Sequence, residues 1–201
     1  YSKAELTALS ETCHKYGLYL FLDGARLGYG LAAPDNDLTL PEIAALCDVF
    51  YIGGTKVGAL FGEAVVIKNP ELAQDFRYLI KQNGGMLAKG RLLGLQFDAL
   101  FTDGLYQEIS AHAIAMAEKL REAFTAKGYN YLAPNRTNQI FVIVPDAHLA
   151  KISEQFEYSY DQRIDATHSC VRFCTSWATK EENVDALIRC EIGRASCRER
   201  V

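Results

Sequence analysis

Leu18-Tyr19-Leu20-Phe21-Leu22-Asp23-Gly24-Ala25-Arg26 and Val49-Phe50-Tyr51-Ile52-Gly53-Gly54-Thr55-Lys56 follow one pattern: an unbroken apolar run that meets glycine where a charged residue appears. Runs without polar alternation are expected of strands buried on both faces, as in a parallel sheet covered by helices. Between them lies a loop from Gly28 to Asp37 rich in Gly, Pro, Asp and Asn. A helix follows, with Thr39 as N-cap, Pro41 in the first turn, and Ile43 and Leu46 on an inward face. Strand, helix, strand in that order calls for a right-handed crossover that lays the strands side by side. Ligands of open α/β sheets bind beyond the carboxyl ends of such strands. Asp23, Arg26, Thr55 and Lys56 all fall there.

Upstream, residues 2–16 read as an amphipathic helix opened by a Ser2/Glu5 capping box and closed by Gly17. Downstream, Ala64 to Ile67 reads as a strand. Its connection to Lys56 is too short for a helical crossover, so an antiparallel return is expected. Pro70 opens a helix through Leu72, Phe76, Leu79 and Ile80, broken by Gly84-Gly85. Two further helices are expected over about 86–102 and 104–127, the second with Ile109, Ala113, Met116, Leu120 and Phe124 at helical steps.

The character changes at Tyr129. Ile140-Phe141-Val142-Ile143-Val144 is a strand stopped by Pro145, Asp146 caps a helix to about Phe156, and Ile164 to Ser176 holds one or two strands. Tyr158 and Tyr160 alternate in a strand and are expected to pack. Thr179 with Glu182 forms a capping box for a last helix through Val184, Leu187 and Ile188. The pattern predicts an α/β region over residues 1–128 and a small α+β domain over 129–189. Residues 190–201 have no apolar periodicity, resemble translated adapter sequence and are expected to be a non-native tail. The chain starts at Tyr1 inside a helical pattern, so the native N-terminus is expected to lie upstream.

Composition narrows the function. A net charge of −4 over 201 residues gives no nucleic-acid footprint and no basic membrane-surface patch. No apolar run approaches the length of a membrane span. Cys13, Cys47, Cys170, Cys174, Cys190 and Cys197 show no Cys-x-x-Cys spacing. Buried free cysteines of a cytosolic protein are the simplest account. The Gly-x-Gly-x-x-Gly fingerprint of a dinucleotide binder does not follow the first strand. His168, Cys170 and Cys174 share one side of a strand but lack a fourth metal ligand, so no metal is expected. His14 and His112 sit in helices as surface residues.

The strand ends carry the chemistry. An acid and a lysine on neighbouring strand ends suit pyridoxal 5'-phosphate (PLP), the lysine forming a Schiff base and the acid pairing with the ring nitrogen. Lysine becomes a nucleophile through desolvation or a nearby cation. Lys56 follows a buried strand and lies between glycines that permit close approach of a cofactor; the alternative is a surface lysine in a turn. Asp23 at a buried strand end needs a partner, which the pyridinium N–H or the next turn would supply. Arg26 suits the cofactor's phenolate oxygen or a pair with Asp23. Thr55 suits the phosphate or a turn.

Leu22-Asp23-Gly24-Ala25-Arg26-Leu27, Gly53-Gly54-Thr55-Lys56, Gly84-Gly85-Met86 and Val171-Arg172-Phe173-Cys174-Thr175-Ser176-Trp177, in this order, resemble the threonine aldolase / β-eliminating lyase family of fold type I PLP enzymes. The resemblance covers about residues 1–189. It implies a fold type I α/β architecture, a mostly parallel sheet flanked by helices and a small C-terminal α+β domain. By the same resemblance Lys56 would hold PLP, Asp23 the ring nitrogen, Arg26 the ring oxygen and Thr55 the phosphate. Arg172 would clamp the α-carboxylate of a small amino-acid substrate, a task suited to a planar bidentate fork.

The implied reaction is retro-aldol cleavage of a β-hydroxy-α-amino acid, threonine giving glycine and acetaldehyde, in a homo-oligomer with shared active sites. β-Elimination on the same scaffold and a catalytically incomplete fragment are the alternatives. Where the family carries arginine after Gly-Gly-Met, this chain has Leu87, with Lys89 and Arg91 nearby. The family's N-terminal segment, with its phosphate loop and ring-stacking residue, is expected upstream of this chain.

Overall fold

A computed structural model describes residues 1–192. The chain forms two compact units that divide after Ile109. The first contains α1 (Lys3–Lys15), β1 (Phe21–Leu22), α2 (Leu27–Leu31), α3 (Leu40–Leu46), β2 (Val49–Gly53), β3 (Glu63–Ile67), α4 (Pro70–Ala73), α5 (Phe76–Gln82), α6 (Arg91–Phe101) and a 3₁₀ turn (Thr102–Gly104). Helix α7 (Leu105–Ala126) begins in the first unit and continues into the second. There follow β4 (Asn130–Tyr131), β5 (Gln139–Pro145), α8 (Asp146–Ile152), β6 (Ser159–Arg163), β7 (His168–Cys174) and α9 (Glu181–Ile192).

In the first unit β2 is central. It pairs in parallel with β1, Phe21 opposite Val49 and Leu22 opposite Phe50, and antiparallel with β3, Val49 opposite Ile67 through Gly53 opposite Glu63. The expected side-by-side parallel pairing and the expected antiparallel return are both present. One ladder of this sheet is therefore parallel and the other antiparallel.

Burial on both faces is not what the first unit has. Phe50 and Ile52 are buried and Val49 and Tyr51 are half-buried, while Phe21 is 58% exposed and Val65 48%. Only one face of the sheet is packed within this unit, so the alternation of side chains across the strand separates core from surface even in an all-apolar run. Strand β1 is also shorter than Leu18–Leu22, because pairing with β2 begins at Phe21.

Local signals decide most helix ends. The Glu5 carboxylate accepts from the Ser2 N–H (2.8 Å), and the Glu42 carboxylate accepts from the Thr39 N–H (2.8 Å) and hydroxyl (2.7 Å). Gly17 adopts φ 68° and lets Leu18 N–H reach back to Cys13 C=O at 2.8 Å, closing α1. One expected helix and two expected caps differ. The helix expected from Pro70 is two short helices, α4 and α5, interrupted by left-handed Asp75 at φ 56°. Asp146 lies inside α8, and its carboxylate takes the Ser169 hydroxyl (2.8 Å) and Arg163 (2.9 Å). Thr179 Oγ1 accepts from Ser176 N–H at 2.8 Å, and α9 starts two residues later. In the last two cases a polar side chain found a tertiary or turn partner that competed with the helix terminus.

The second unit is a four-stranded antiparallel sheet in the order β4-β5-β7-β6. Ile140, Val142 and Val144 of β5 and Val171 of β7 have no exposed area, and they pack with Leu120, Phe124, Leu149, Ile152, Val184 and Leu187 of the helices. Gln139, Phe141 and Ile143 lie on the other face, half-buried. Tyr158 packs on Phe173, ring centroids 6.2 Å apart, but Tyr160 on β6 is 61% exposed because β6 is an edge strand with a bulge between Tyr160 and Gln162. Helix α9 carries the chain through residues 190–192, and the rest of the expected tail, 193–201, lies outside the described residues.

Ile140→Ala is expected to destabilise the protein by about 2–5 kcal/mol in denaturant unfolding, whereas Tyr160→Ala stays within about 0.5 kcal/mol.

Candidate active site

The site is built where β1 and β2 end side by side. Gly53 N–H donates to Gly24 C=O at 2.9 Å, so the two chains stay bonded one step beyond the strands. A Cβ on Gly24 would stand 1.7 Å from the Tyr51 carbonyl oxygen, and one on Gly53 would stand 2.3 Å from that of Ala25. A Cβ on Gly54 would meet the Phe97 ring at 2.6 Å and Gly62 C=O at 2.7 Å. The glycines flanking the lysine turn thus serve contact of chain with chain. The expectation that they make room for a ligand is corrected: neighbouring protein already fills the space.

This junction brings Asp23, Arg26, Thr55 and Lys56 into one locality. Asp23 Oδ1 accepts from Ala25 N–H at 3.0 Å and from the Tyr51 phenol in a short hydrogen bond. Those two donors, with the nearby charges of Lys56 and Arg26, hold the Asp23 carboxyl below its ordinary 3.8, the Tyr51 bond being the largest cause. The same bond pushes the Tyr51 phenol up to about 12. Asp23 is exposed, so these donors act on a solvated carboxylate. Among the described residues Arg26 forms no ion pair. Thr55 Oγ1 lies 3.4 Å from Gly62 C=O, a weak turn contact.

Lys56 is exposed and its backbone is pinned. The Tyr29 phenol donates to Lys56 C=O at 2.5 Å, and Gly54 N–H donates to Glu63 Oε2 at 2.7 Å. Tyr106, only 1% exposed, accepts from Gly28 N–H (3.1 Å) and donates to Gly53 C=O (2.9 Å). It thereby ties α2 to the lysine turn. Burial pushes its phenol up to about 12.

Arg172 belongs to the second unit. On β7 its Nη1 donates to Gln139 Oε1 at 3.2 Å and its Nη2 to Ser159 Oγ at 3.4 Å. Both partners are neutral, and among the described residues no carboxylate pairs with it. Arg172 is among the residues lining a cavity of about 330 Å³, with Ser159, Tyr158, Phe173 and Asn183. Cys170, on the same strand, is buried, and that burial pushes its thiol up, but among the described residues the expected burial of the free cysteines holds only for Cys47 and Cys170: Cys13 is half-buried and Cys174 exposed. His14 pairs with Asp48 at 3.0 Å and His112 with Thr179 C=O at 2.7 Å, both at the surface. Among the described residues no group of three or more His, Cys, Asp or Glu is placed to hold a metal.

Sequence reasoning missed Tyr29, Tyr51, Glu63, Tyr106 and Gln139. Tyr51 had a signal: it alternates with Phe50 and Ile52 and so shares a side with Gly53, and a tyrosine in an apolar run needs a partner for its hydroxyl. Tyr106 had none, because its partners lie 78 and 53 positions away.

The fold is that of a solved threonine aldolase from Leishmania major, with a TM-score of 0.92 and 43% identity over 94% of this chain and 55% of that one. It is thus the α/β architecture of the fold type I class. The family model described as beta-eliminating lyase matches residues 1–147, and the chain belongs to that family. Low specificity L-threonine aldolases from Pseudomonas sp. and Pseudomonas aeruginosa are 32% and 30% identical over 191 and 190 residues. The alignments cover 93% and 94% of this chain. The chain spans about half the length of these curated relatives, 54% in each case.

Gly24→Ala is expected to cost at least about 3 kcal/mol of stability because the backbone must part. Gly30→Ala, with nothing within 4 Å of its Cβ, should gain about 0.5–1 kcal/mol; unfolding midpoints decide both. Asp23 titrates lower when folded than unfolded, so its stabilising contribution is present above pH 3.8 and is lost as pH falls through the lower folded value. Tyr51→Phe is expected to raise the Asp23 midpoint toward 3.8, read from its carboxyl carbon NMR shift.

Proposed function

We propose that the protein carrying this chain is a PLP-dependent aldehyde-lyase that cleaves β-hydroxy-α-amino acids, threonine giving glycine and acetaldehyde. The observation that carries the proposal is the junction of β1 and β2, which sets an ionised aspartate beside a lysine on a rigid turn. The donor set suits PLP: an amine for the aldehyde carbon, a carboxylate for the ring N–H, a guanidinium for the phenolate oxygen and a hydroxyl for the phosphate. Asp23 Oδ1 already holds two donors, and Oδ2 is left for a ring N–H. Bound there, PLP supplies an electron sink for charge developing at the substrate Cα.

The chain's own residues divide the work. Lys56 Nζ binds the cofactor and, when free, holds or releases a proton at that atom. Asp23 keeps a positive partner at the ring nitrogen, Arg26 contacts the ring oxygen and Thr55 contacts the phosphate. Arg172 binds the substrate carboxylate, which fixes which Cα bond stands ready to break. A half-buried guanidinium with only neutral partners supports that role.

The names of the relatives favour aldol cleavage over β-elimination. Residues 1–128 would then be part of the cofactor domain and 129–189 a small domain, supported by the fact that all strands of the second sheet follow Tyr129. A homo-oligomer is supported by exposed Leu60, Tyr78, Leu79, Leu87 and Leu92 in the first unit. A cytoplasmic setting is supported by free Cys13, Cys47, Cys170, Cys174 and Cys190. Among the described residues no helix is long and apolar enough to cross a membrane.

Adding PLP is expected to give a visible absorbance band that Lys56→Ala abolishes, with glycine and acetaldehyde as products from threonine. Pyruvate plus ammonia would favour β-elimination, and the absence of any lysine-dependent band would remove the PLP reading. Arg172→Ala should raise the KM for threonine about 10- to 100-fold.

A further inference from the structure

Arg172 is held by an amide rather than by an acid, and the sheet register explains how. Phe141 stands opposite Arg172 and Gln139 opposite Cys174, so Gln139 is the diagonal neighbour of Arg172 on the same face, within reach of a long side chain. Ser159 stands directly opposite Arg172 on β6. The Gln139 backbone is fixed independently of its side chain. Its carbonyl accepts from Asn135 Nδ2 at 2.9 Å and Arg121 Nη2 at 3.4 Å, and Arg121 is itself paired with Glu118 at 3.0 Å. Glu157 lines the same cavity as Arg172, and Asp161 at the β6 bulge acts on the Cys170 thiol; among the described residues neither forms an ion pair with Arg172.

We propose that Gln139 is a positioning residue for Arg172, orienting the guanidinium by its side-chain carbonyl while leaving the positive charge uncancelled for a substrate carboxylate. The proposal rests on the reading of Arg172 as the carboxylate clamp. A carboxylate at position 139 would make a stronger bond to Nη1, and that strength is the drawback, because an internal acid would occupy and neutralise the group that must receive an external one. An amide carbonyl accepts the same hydrogen bond in the same place without a charge. An apolar side chain would leave the fork free to rotate and would unpair one of its donors. The selection of glutamine is thus a compromise between fixing the fork and keeping it hungry for an anion.

The test uses the PLP-loaded protein with three variants, Gln139→Glu, Gln139→Met and Arg172→Ala. KM and kcat are measured with threonine, glycine affinity by calorimetric titration, and unfolding midpoints alongside. Gln139→Glu is expected to weaken glycine binding and raise KM about tenfold or more, with kcat within about threefold and the midpoint unchanged or raised. Gln139→Met should give a smaller rise in KM, about threefold. A purely structural role predicts the reverse order, since glutamate preserves shape and adds an ion pair. Arg172→Ala weakening glycine binding while Gln139→Glu leaves it unchanged would overturn the proposal alone. Glycine affinity indifferent to Arg172→Ala would overturn the clamp reading and this proposal with it.

Discussion

The close approach of two backbone segments at the ends of β1 and β2 governs the first unit. Gly24 and Gly53 lie so near each other's strands that a single added carbon would overlap a carbonyl oxygen, and the Gly53 N–H to Gly24 C=O bond closes the gap. Parallel strands emerge at the same edge of a sheet, so whatever follows them must be neighbours. Asp23 and Lys56, 33 positions apart in sequence, are brought into one locality by this constraint. A side chain at either glycine would push the strand ends apart and separate the acid from the amine.

Around that junction, precision comes from buried or directed hydroxyls rather than from salt bridges. Tyr106 is sealed from solvent with one backbone donor and one backbone acceptor on its phenol oxygen, an arrangement that is costly to break because each partner would be left unpaired. Tyr29 does the same for the Lys56 carbonyl. By contrast the ion pair between Lys3 and Glu42 at 2.6 Å is exposed and contributes little beyond placing α1 against α3. The Asp23 carboxylate is tuned by Tyr51 and Ala25 from one side only. Both donors fall on Oδ1.

The second unit solves a different problem. One face of its antiparallel sheet is packed by helices with residues of no exposed area, and the other face carries the polar and half-buried groups, Arg172 and Gln139 among them. Antiparallel pairing makes this division natural, since alternate residues face core and surface. Arg172 can therefore sit on a strand whose neighbours Val171 and Phe173 anchor it in the core. Its position is rigid, and its charge meets only neutral partners.

Local and periodic features of the fold are legible in the residues themselves. Ser2 with Glu5, Thr39 with Pro41, and Gly17 mark helix ends through contacts within a few residues, and the apolar runs at Phe21, Val49 and Ile140 mark strands. The short link after Lys56 was enough to orient β3, and the four ordered motifs were enough to indicate the family. Tertiary structure alone decided which face of each apolar run is core, because alternation carries no information when every residue is apolar. It also decided that Asp146 and Thr179 serve partners other than helix ends. Tyr29, Tyr106 and Gln139 became visible only in the fold, since their hydrogen bonds join segments tens of residues apart and leave no periodic or local trace in the chain.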